Sequence, residues 1–331
     1  MKSGSPHRFN MDRRDLLGAA ALSAVVAGDA GSSLPTLAGL GSFETVPLWP
    51  GSPPGGPAPN LATRIVERSS DPAKFHLRAV SGVVRPVFSV VRAAAPNGSA
   101  MLIIPGGGYR ELTIDTAFAA ARRLADAGVT GFVLFYRLPH EGWRDGARVP
   151  LEDAMRAMRL LRGSAAQHDV DPRRIGVLGF SAGGHLASLL SLRSDAGAYA
   201  PVDAADRASA RPLFAALLYP VITMLPPHAH EASREMLLGE NPKLAAREAW
   251  SSERLVTRGT PPMFLAAAAD DPDVPIENTL EMFSALRHAQ VPAEMHVFER
   301  GGHGFGLGNP GEPLSAWPTL LLAWLRQFQL R

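Results

Sequence analysis

The sequence predicts a doubly wound α/β domain, in which a mostly parallel sheet is covered by helices on both faces. Its apolar segments lack the strict alternation of a strand buried on one side only, which favours strands buried on both faces. Segments with helical periodicity separate them, so that strand and helix alternate along the chain. With 46% hydrophobic and 19% charged residues, the 331-residue chain has the composition of an ordinary globular protein.

The predicted strands are apolar runs, and two of them continue into glycine-rich loops. They lie at 87–94, 99–109, 130–139, 174–180, 213–222, 261–271 and 293–306. The predicted helices alternate with these strands. They lie at 116–128, 150–168, 182–193, 275–290 and 313–329. Pro150 and the acids after it are typical of a helix start, and Gly128 is typical of a helix end.

Two segments depart from this rhythm. Residues 47–60 are dense in proline and glycine, which predicts an extended surface arm or linker. Residues 223–258 read as mixed helix and loop, and we expect them to form a small cap-like insertion above the carboxyl edge of the sheet. The sequence therefore predicts a single domain over residues 41–331, with this insertion inside it.

The N-terminus has the pattern of an export signal. Arg13 and Arg14 precede an apolar stretch at 16–27, which small residues follow. The arginine pair is similar to that of a twin-arginine signal, and the apolar run is shorter than the ~20 residues that span a bilayer. We therefore predict that residues 1–40 are a removed signal and linker, and that the protein is periplasmic or secreted without a stable membrane span.

Charge and cysteine content exclude several classes of function. The formal net charge is +2 and no basic block follows residue 14, so a nucleic-acid partner has no electrostatic support. The chain has no cysteine, which excludes disulfides and thiolate metal sites. The oligomeric state is not indicated by the sequence.

Ser181 has the sequence context of a nucleophile. The pentapeptide GFSAG, residues 179–183, matches G-x-S-x-G and lies between a predicted apolar strand and a predicted helix. The sharp turn there requires small residues two before and two after the serine. The helix N-terminus adds free N–H groups and a partial positive charge. A plain tight turn is the alternative reading.

A base and an acid follow Ser181 in the chain, each after a predicted strand. His303 lies among glycines in GGHGFG, which suits a mobile loop that places an imidazole over the serine. Three acids compete for the third position: Asp270, Asp271 and Asp273. The residues alone favour Asp271, which lies in the middle of the turn. The serine, acid and histidine then follow in an order known for catalytic triads.

The loop after the second predicted strand can supply an oxyanion hole. There, Gly106, Gly107 and Gly108 leave backbone N–H groups free of a neighbouring Cβ. A second donor would be the N–H of Ala182, directly after the nucleophile. A phosphate-binding turn is the alternative, but no GK[ST] follows.

Taken together, these motifs make the chain similar to α/β-hydrolases of the bacterial carbohydrate-esterase group, in the acetyl-xylan esterase and feruloyl-esterase-like branch. The matching segments are LWPG (48–51), IIPGGGY (103–109), YRLP (136–139), LGFSAGGHLAS (178–188), YPVITM (219–224), ADDPDVPIENTLEMFSALRHAQVP (269–292) and FERGGHGFGLG (298–308). The glycine loop also resembles the HGGG loop of esterases, except that Pro105 replaces the histidine. The resemblance places the catalytic acid four residues before Pro275, at Asp271. It places the oxyanion donors at Gly107 or Gly108 and at Ala182.

The resemblance implies a serine hydrolase that cleaves short-chain carboxylic esters, with O-acetyl groups on xylan-type carbohydrate as the expected substrate. No metal or organic cofactor is expected, and the partner would be a small-molecule or oligosaccharide ester. Tyr109, Trp143 and Trp250 could stack against a sugar, although aromatic side chains more often pack in the core. Two alternatives remain: an amidase or peptidase of the prolyl-oligopeptidase type, and a catalytically inactive α/β-hydrolase that serves as a binding module.

Overall fold

The computed structural model describes residues 43–56, 59–194 and 197–328. The predicted export signal and linker lie outside these ranges and stay a prediction. The strands are β1 (Glu44–Pro47), β2 (Arg64–Glu67), β3 (Arg78–Ser81), β4 (Val87–Val91), β5 (Gly98–Ile104), β6 (Leu112–Thr113), β7 (Thr130–Phe135), β8 (Val170–Phe180), β9 (Ala215–Leu218), β10 (Met263–Ala268) and β11 (Ala293–Phe298). The α-helices are α1 (Ile114–Ala125), α2 (Val149–Gly163), α3 (Ala182–Leu192), α4 (Glu231–Leu238), α5 (Leu244–Trp250), α6 (Glu277–His288) and α7 (Trp317–Leu325).

Eight strands form one sheet, in the order β1-β4-β7-β5-β8-β9-β10-β11. The pairs from β7 through β11 are parallel, and only the pairs β1–β4 and β4–β7 are antiparallel. This confirms the predicted mostly parallel sheet. Because parallel strands end at the same edge, the loops after β5, β8, β10 and β11 meet there, with β5 beside β8.

The helices cover the sheet in two groups. On one face α1 packs against β7 and contacts α7, and on the other α2 packs against α3, which lies over β8 and β9. The strands of the main sheet from β4 to β10 are buried along most of their length, which explains why their sequences read as continuous apolar runs. The core therefore lies in two layers, one on each side of the sheet.

The N-terminal part of the described chain corrects the predicted surface arm. β1 pairs with β4, and Leu48 and Trp49 directly after it are buried. Trp49 Nε1 donates to Asp153 Oδ1 at 2.8 Å, and Arg156 Nε donates to the Leu48 carbonyl oxygen at 2.7 Å. The segment is anchored because its two large apolar side chains have a place in the core. Proline and glycine content alone did not reveal this.

The structure also contains a small antiparallel sheet that the sequence pattern does not predict. It has the order β2-β3-β6 and no strand longer than four residues among those described. β6 lies directly before α1 and after the glycine loop that follows β5. The glycine loop therefore runs from the main sheet, at β5, to the small sheet, at β6.

Residues 223–258 contain α4 and α5 joined by loops, as the sequence predicts. Asn278 of α6 attaches the start of this segment, since its Oδ1 accepts hydrogen bonds from the backbone N–H groups of Ile222 (2.8 Å) and Thr223 (3.1 Å). Its Nδ2 donates to the carbonyl oxygen of His228 at 2.8 Å. Throughout the part of the chain that the structure describes, no helix is both long enough and apolar enough to cross a bilayer.

Candidate active site

Ser181 lies in a strained turn between β8 and α3. Its φ of 53° and ψ of −121° place it in a region that residues other than glycine rarely adopt. Its N–H donates to the Leu218 carbonyl oxygen at 3.0 Å, and its own carbonyl oxygen accepts from the N–H groups of Gly184 (2.9 Å) and Val221 (3.0 Å). These bonds to the β9 region hold the turn in place and keep the side chain at the carboxyl edge of the sheet.

The glycines after Ser181 are required by close backbone contacts. A Cβ on Gly183 would overlap the carbonyl oxygens of Ile104 and Pro105, at the end of β5 and the start of its loop. A Cβ on Gly184 would lie 2.7 Å from the Cβ of Pro220. Only a residue without a side chain lets α3 begin so close to both neighbouring strands.

The structure brings Ser181, His303 and Asp271 into one hydrogen-bonded chain. Ser181 Oγ lies 2.9 Å from His303 Nε2, and His303 Nδ1 lies 2.8 Å from Asp271 Oδ2. The Asp271 side chain is 2% exposed and the His303 side chain 19% exposed. Because a buried carboxylate on Nδ1 keeps the proton there, Nε2 is left as the acceptor that faces the serine hydroxyl.

The other two candidate acids have different contacts. Asp270 Oδ1 accepts a hydrogen bond from the Gly302 N–H at 2.8 Å, so it holds the loop that carries the histidine. Asp273 donates its backbone N–H to Asp271 Oδ1 at 2.9 Å, as does Val274 at the same distance. Asp271 Oδ1 is thereby fixed, and Asp271 Oδ2 is directed to His303 Nδ1.

The glycine loop after β5 lies against the serine turn. A Cβ on Gly106 would lie 3.1 Å from the Cβ of Ser181. The carbonyl oxygen of Gly106 accepts from Thr113 N at 3.1 Å, and that of Gly107 accepts from Arg110 N at 3.0 Å. In a trans peptide the next N–H points the opposite way. The N–H groups of Gly107 and Gly108 therefore point away from residues 110–113.

His185, in the first turn of α3, links the segments around the serine turn. Its Nε2 lies 2.7 Å from the Trp250 carbonyl oxygen and its Nδ1 lies 2.8 Å from Tyr109 Oη. A carbonyl only accepts, so Nε2 carries the proton and Nδ1 accepts from the tyrosine hydroxyl. Burial is the main cause that lowers the pKa of His185, to about 4. The neutral ring thus joins the glycine loop, α3 and the cap-like segment.

Two of the three predicted stacking residues are not at the surface. Tyr109 is fully buried, because its ring packs edge-on against His185 under the glycine loop. Trp143 is also buried, and Arg137 lies over its ring with the guanidinium carbon 4.9 Å from the centroid. The stacking predictions for Tyr109 and Trp143 are therefore wrong. Trp250 is partly buried under Arg193, and its role in substrate binding stays a prediction.

His230, for which the sequence predicts no role, lies beside His303. Its ring centroid lies 6.5 Å from that of His303, and the two planes differ by 27°. Tyr219 lies on the same histidine, with an edge-to-face contact at 5.1 Å. Both residues follow β9, but His230 lies eleven residues further along the chain than Tyr219, inside the cap-like segment. No local pattern marks a contact that depends on how this segment folds back.

Comparison with known proteins identifies the relatives of this chain. The BD-FAE family model matches residues 92–286. The chain is 32% identical over 263 residues to an endo-1,4-beta-xylanase B from Butyrivibrio fibrisolvens (80% of this chain, 41% of the relative). It is 35% identical over 221 residues to an acetylxylan esterase from Xylanibacter ruminicola (64% and 42%). The chain thus spans about two fifths of the length of these curated relatives.

A solved structure matches over more of its length. An acetyl ester-xyloside bifunctional hydrolase from Caldicellulosiruptor lactoaceticus superposes with a TM-score of 0.71 and 34% identity, covering 86% of this chain and 96% of that one. The predicted α/β-hydrolase fold is confirmed by this likeness together with the sheet order. The family match extends over more than half of the sequence and includes the serine turn, the glycine loop and Asp271. The chain belongs to the BD-FAE family.

Proposed function

We propose that this protein is a carboxylic ester hydrolase that removes short acyl groups, chiefly acetyl, from carbohydrate. The observation that carries the proposal is the hydrogen-bonded chain from Ser181 Oγ through His303 to Asp271. Beside it lies the glycine loop, in which the N–H groups of Gly107 and Gly108 point away from residues 110–113. A nucleophile, a base, an orienting acid and oxyanion donors at one edge of the sheet are the parts that acyl transfer needs.

The proposed reaction has two steps. His303 Nε2 takes the hydroxyl proton as Ser181 Oγ attacks the ester carbonyl, and the N–H groups of Gly107, Gly108 and Ala182 stabilise the oxyanion. His303 then protonates the departing alcohol, leaving an acyl-serine. A water activated by His303 releases the acid. Asp271 holds the Nδ1 proton and stabilises the imidazolium throughout.

The acetylated-carbohydrate substrate is supported by the relatives. One is named an acetylxylan esterase and another an acetyl ester-xyloside hydrolase. The site adds that Ser181 is only 6% exposed and lies against the glycine loop, which favours a small acyl group over a long one. Xylan-type acetates are the class we propose.

The deciding experiment compares Ser181→Ala with the wild type on 4-nitrophenyl acetate and on acetylated xylo-oligosaccharides. Loss of the nucleophile is expected to lower kcat by at least about 10⁴-fold on both esters. Ser284→Ala, on the exposed side of α6, is the matched control and is expected to keep full activity. If Ser181→Ala keeps most of the activity, the mechanism is wrong.

Labelling with a fluorophosphonate separates the alternatives. The wild type is expected to form a single adduct at Ser181. A folded protein without this adduct would favour a binding module, whereas an adduct with turnover of amides rather than esters would favour an amidase or peptidase.

A further inference from the structure

His230 belongs to the cap-like segment and faces the reacting groups. It is the residue directly before α4, and its ring lies nearly parallel to that of His303, with 6.5 Å between centroids. It is partly buried. The segment therefore contributes a polar side chain next to the proposed base.

One nitrogen of His230 is already engaged. Nδ1 lies 2.8 Å from Ser233 Oγ, in the first turn of α4, and Ser233 is fully buried. The same Ser233 Oγ would lie 3.8 Å from a Cβ on Gly108, so the first turn of α4 lies against the glycine loop. This contact fixes the ring of His230 and leaves Nε2 as the nitrogen for a ligand.

Burial is the main reason that the ring of His230 stays neutral. Burial lowers its pKa, and the neighbouring His303 lowers it further, while Asp273, Asp271 and Glu231 act in the opposite direction. A neutral imidazole can donate to or accept from a hydroxyl without opposing the positive charge that His303 acquires during the reaction.

The direction of the reaction shows which part of the substrate lies near His230. This step rests on the proposed function. The carbonyl oxygen of the ester would face the glycine loop, while the alcohol oxygen leaves towards His303, which protonates it. A group beside His303 is therefore beside the alcohol. In a sugar ester, the carbon next to the ester-bearing carbon carries a hydroxyl, and in a nitrophenyl ester it does not.

We propose that His230 is a specificity residue whose Nε2 hydrogen-bonds a hydroxyl of the alcohol moiety, and that it thereby selects sugar esters over simple aryl esters. A site that provides a partner for a substrate hydroxyl discriminates against an analogue that lacks it. His230 touches the substrate in this role, but takes no proton from the serine.

The test measures kcat/KM on acetylated xylo-oligosaccharide and on 4-nitrophenyl acetate, and takes their ratio. His230→Ala and His230→Asn are expected to lower this ratio about tenfold, since one neutral hydrogen bond is lost. Asn keeps a polar group near the Nδ1 position but does not reach the Nε2 position. His230→Gln reaches it, and is expected to restore much of the ratio.

His228→Ala is the matched control, because His228 Nδ1 pairs with Glu281 of α6 at 2.7 Å, and its ratio is expected to equal that of the wild type.

The outcomes separate this proposal from the proposed function. An equal loss on both esters, or no loss in His230→Ala, overturns the role of His230 and leaves the hydrolase intact. So does a ratio in His230→Gln that is as low as in His230→Asn. A wild type that hydrolyses neither ester overturns the proposed function itself, and the inference with it.

Discussion

The serine turn and the histidine loop position their side chains in different ways. At the turn, backbone from β5, β9 and α3 approaches so closely that Gly183 and Gly184 have no room for a Cβ. In the loop, Gly302 and Gly304 have positive φ angles, of 63° and 72°, but a Cβ on either would meet no atom within 4 Å. The serine is therefore held by backbone packing, and the histidine by specific contacts.

Those contacts are few and identifiable. Asp271 holds the imidazole, Asp270 holds the Gly302 N–H, and Trp317 Nε1 donates to the Gly306 carbonyl oxygen at 2.8 Å. Tyr219 packs against the imidazole face, and at 4.5 Å against the ring of Phe305. We therefore expect substitutions in the turn to act by disturbing its packing, and substitutions in the loop to act by removing single hydrogen bonds.

The largest expected effect is on the loop. Asp271→Asn would favour the wrong imidazole tautomer, because the amide can donate to Nδ1, and we expect kcat to fall about 10⁴-fold with the fold intact. Asp270→Asn keeps an oxygen for the Gly302 N–H, and we expect less than about a tenfold loss. Steady-state kinetics on 4-nitrophenyl acetate, with circular dichroism for the fold, compares the two. Equal losses in both variants would contradict the assignment of Asp271.

A smaller expected effect contrasts the glycines of the two regions. Gly183→Ala would push a methyl group into the carbonyl oxygens of Ile104 and Pro105, and rigid backbone cannot yield. We expect it to lower the free energy of unfolding by about 3 kcal/mol or to prevent folding. In Gly304→Ala the added methyl group has open space around it, and only the left-handed backbone conformation is unfavourable. We expect the free energy of unfolding to fall by about 1 kcal/mol. Urea unfolding measures the free energy of unfolding of both variants, and a loss in Gly304→Ala as large as that in Gly183→Ala would contradict this difference between the turn and the loop.

The sequence could predict the serine turn because its causes are local. An apolar strand, small residues around Ser181 and a helix directly after it lie within 20 residues of one another, and each has a distinct pattern. Asp271 and His303 could be placed because parallel strands bring the residues after them to one edge. The strand before Ser181 and the helix after it lie where the sequence predicts them.

The strands and side-chain contacts that the sequence does not predict depend on pairing between distant segments. Arg64–Glu67 and Arg78–Ser81 are short and mixed in polarity, and only their pairing across a long connection makes them strands. The sequence places Trp49 in a proline-rich arm, but in the structure its Nε1 donates to Asp153, which is 104 residues away. The sequence allows Trp143 to stack against a sugar, but in the structure the guanidinium of Arg137 lies over its ring. His230 belongs to the same class, since its neighbour His303 is distant in the chain.

The last expected effect tests, through pH, the contacts that His185 makes beside the serine turn. In the unfolded chain a histidine takes up a proton near pH 6.5, whereas folded His185 stays neutral down to about pH 4, chiefly because it is buried. Between these values the unfolded state binds more protons. The free energy of unfolding therefore falls as the pH falls, by up to about 3 kcal/mol at pH 4 from this residue alone.

His185→Gln cannot take up that proton, so its free energy of unfolding should fall less steeply below pH 6.5. At pH 7 the variant is expected to be less stable than the wild type, because one of the two hydrogen bonds of His185 is disturbed. Urea unfolding from pH 4 to 7, with His288→Gln as an exposed control, measures the slopes, and parallel slopes for the wild type and His185→Gln would show that His185 is not held neutral.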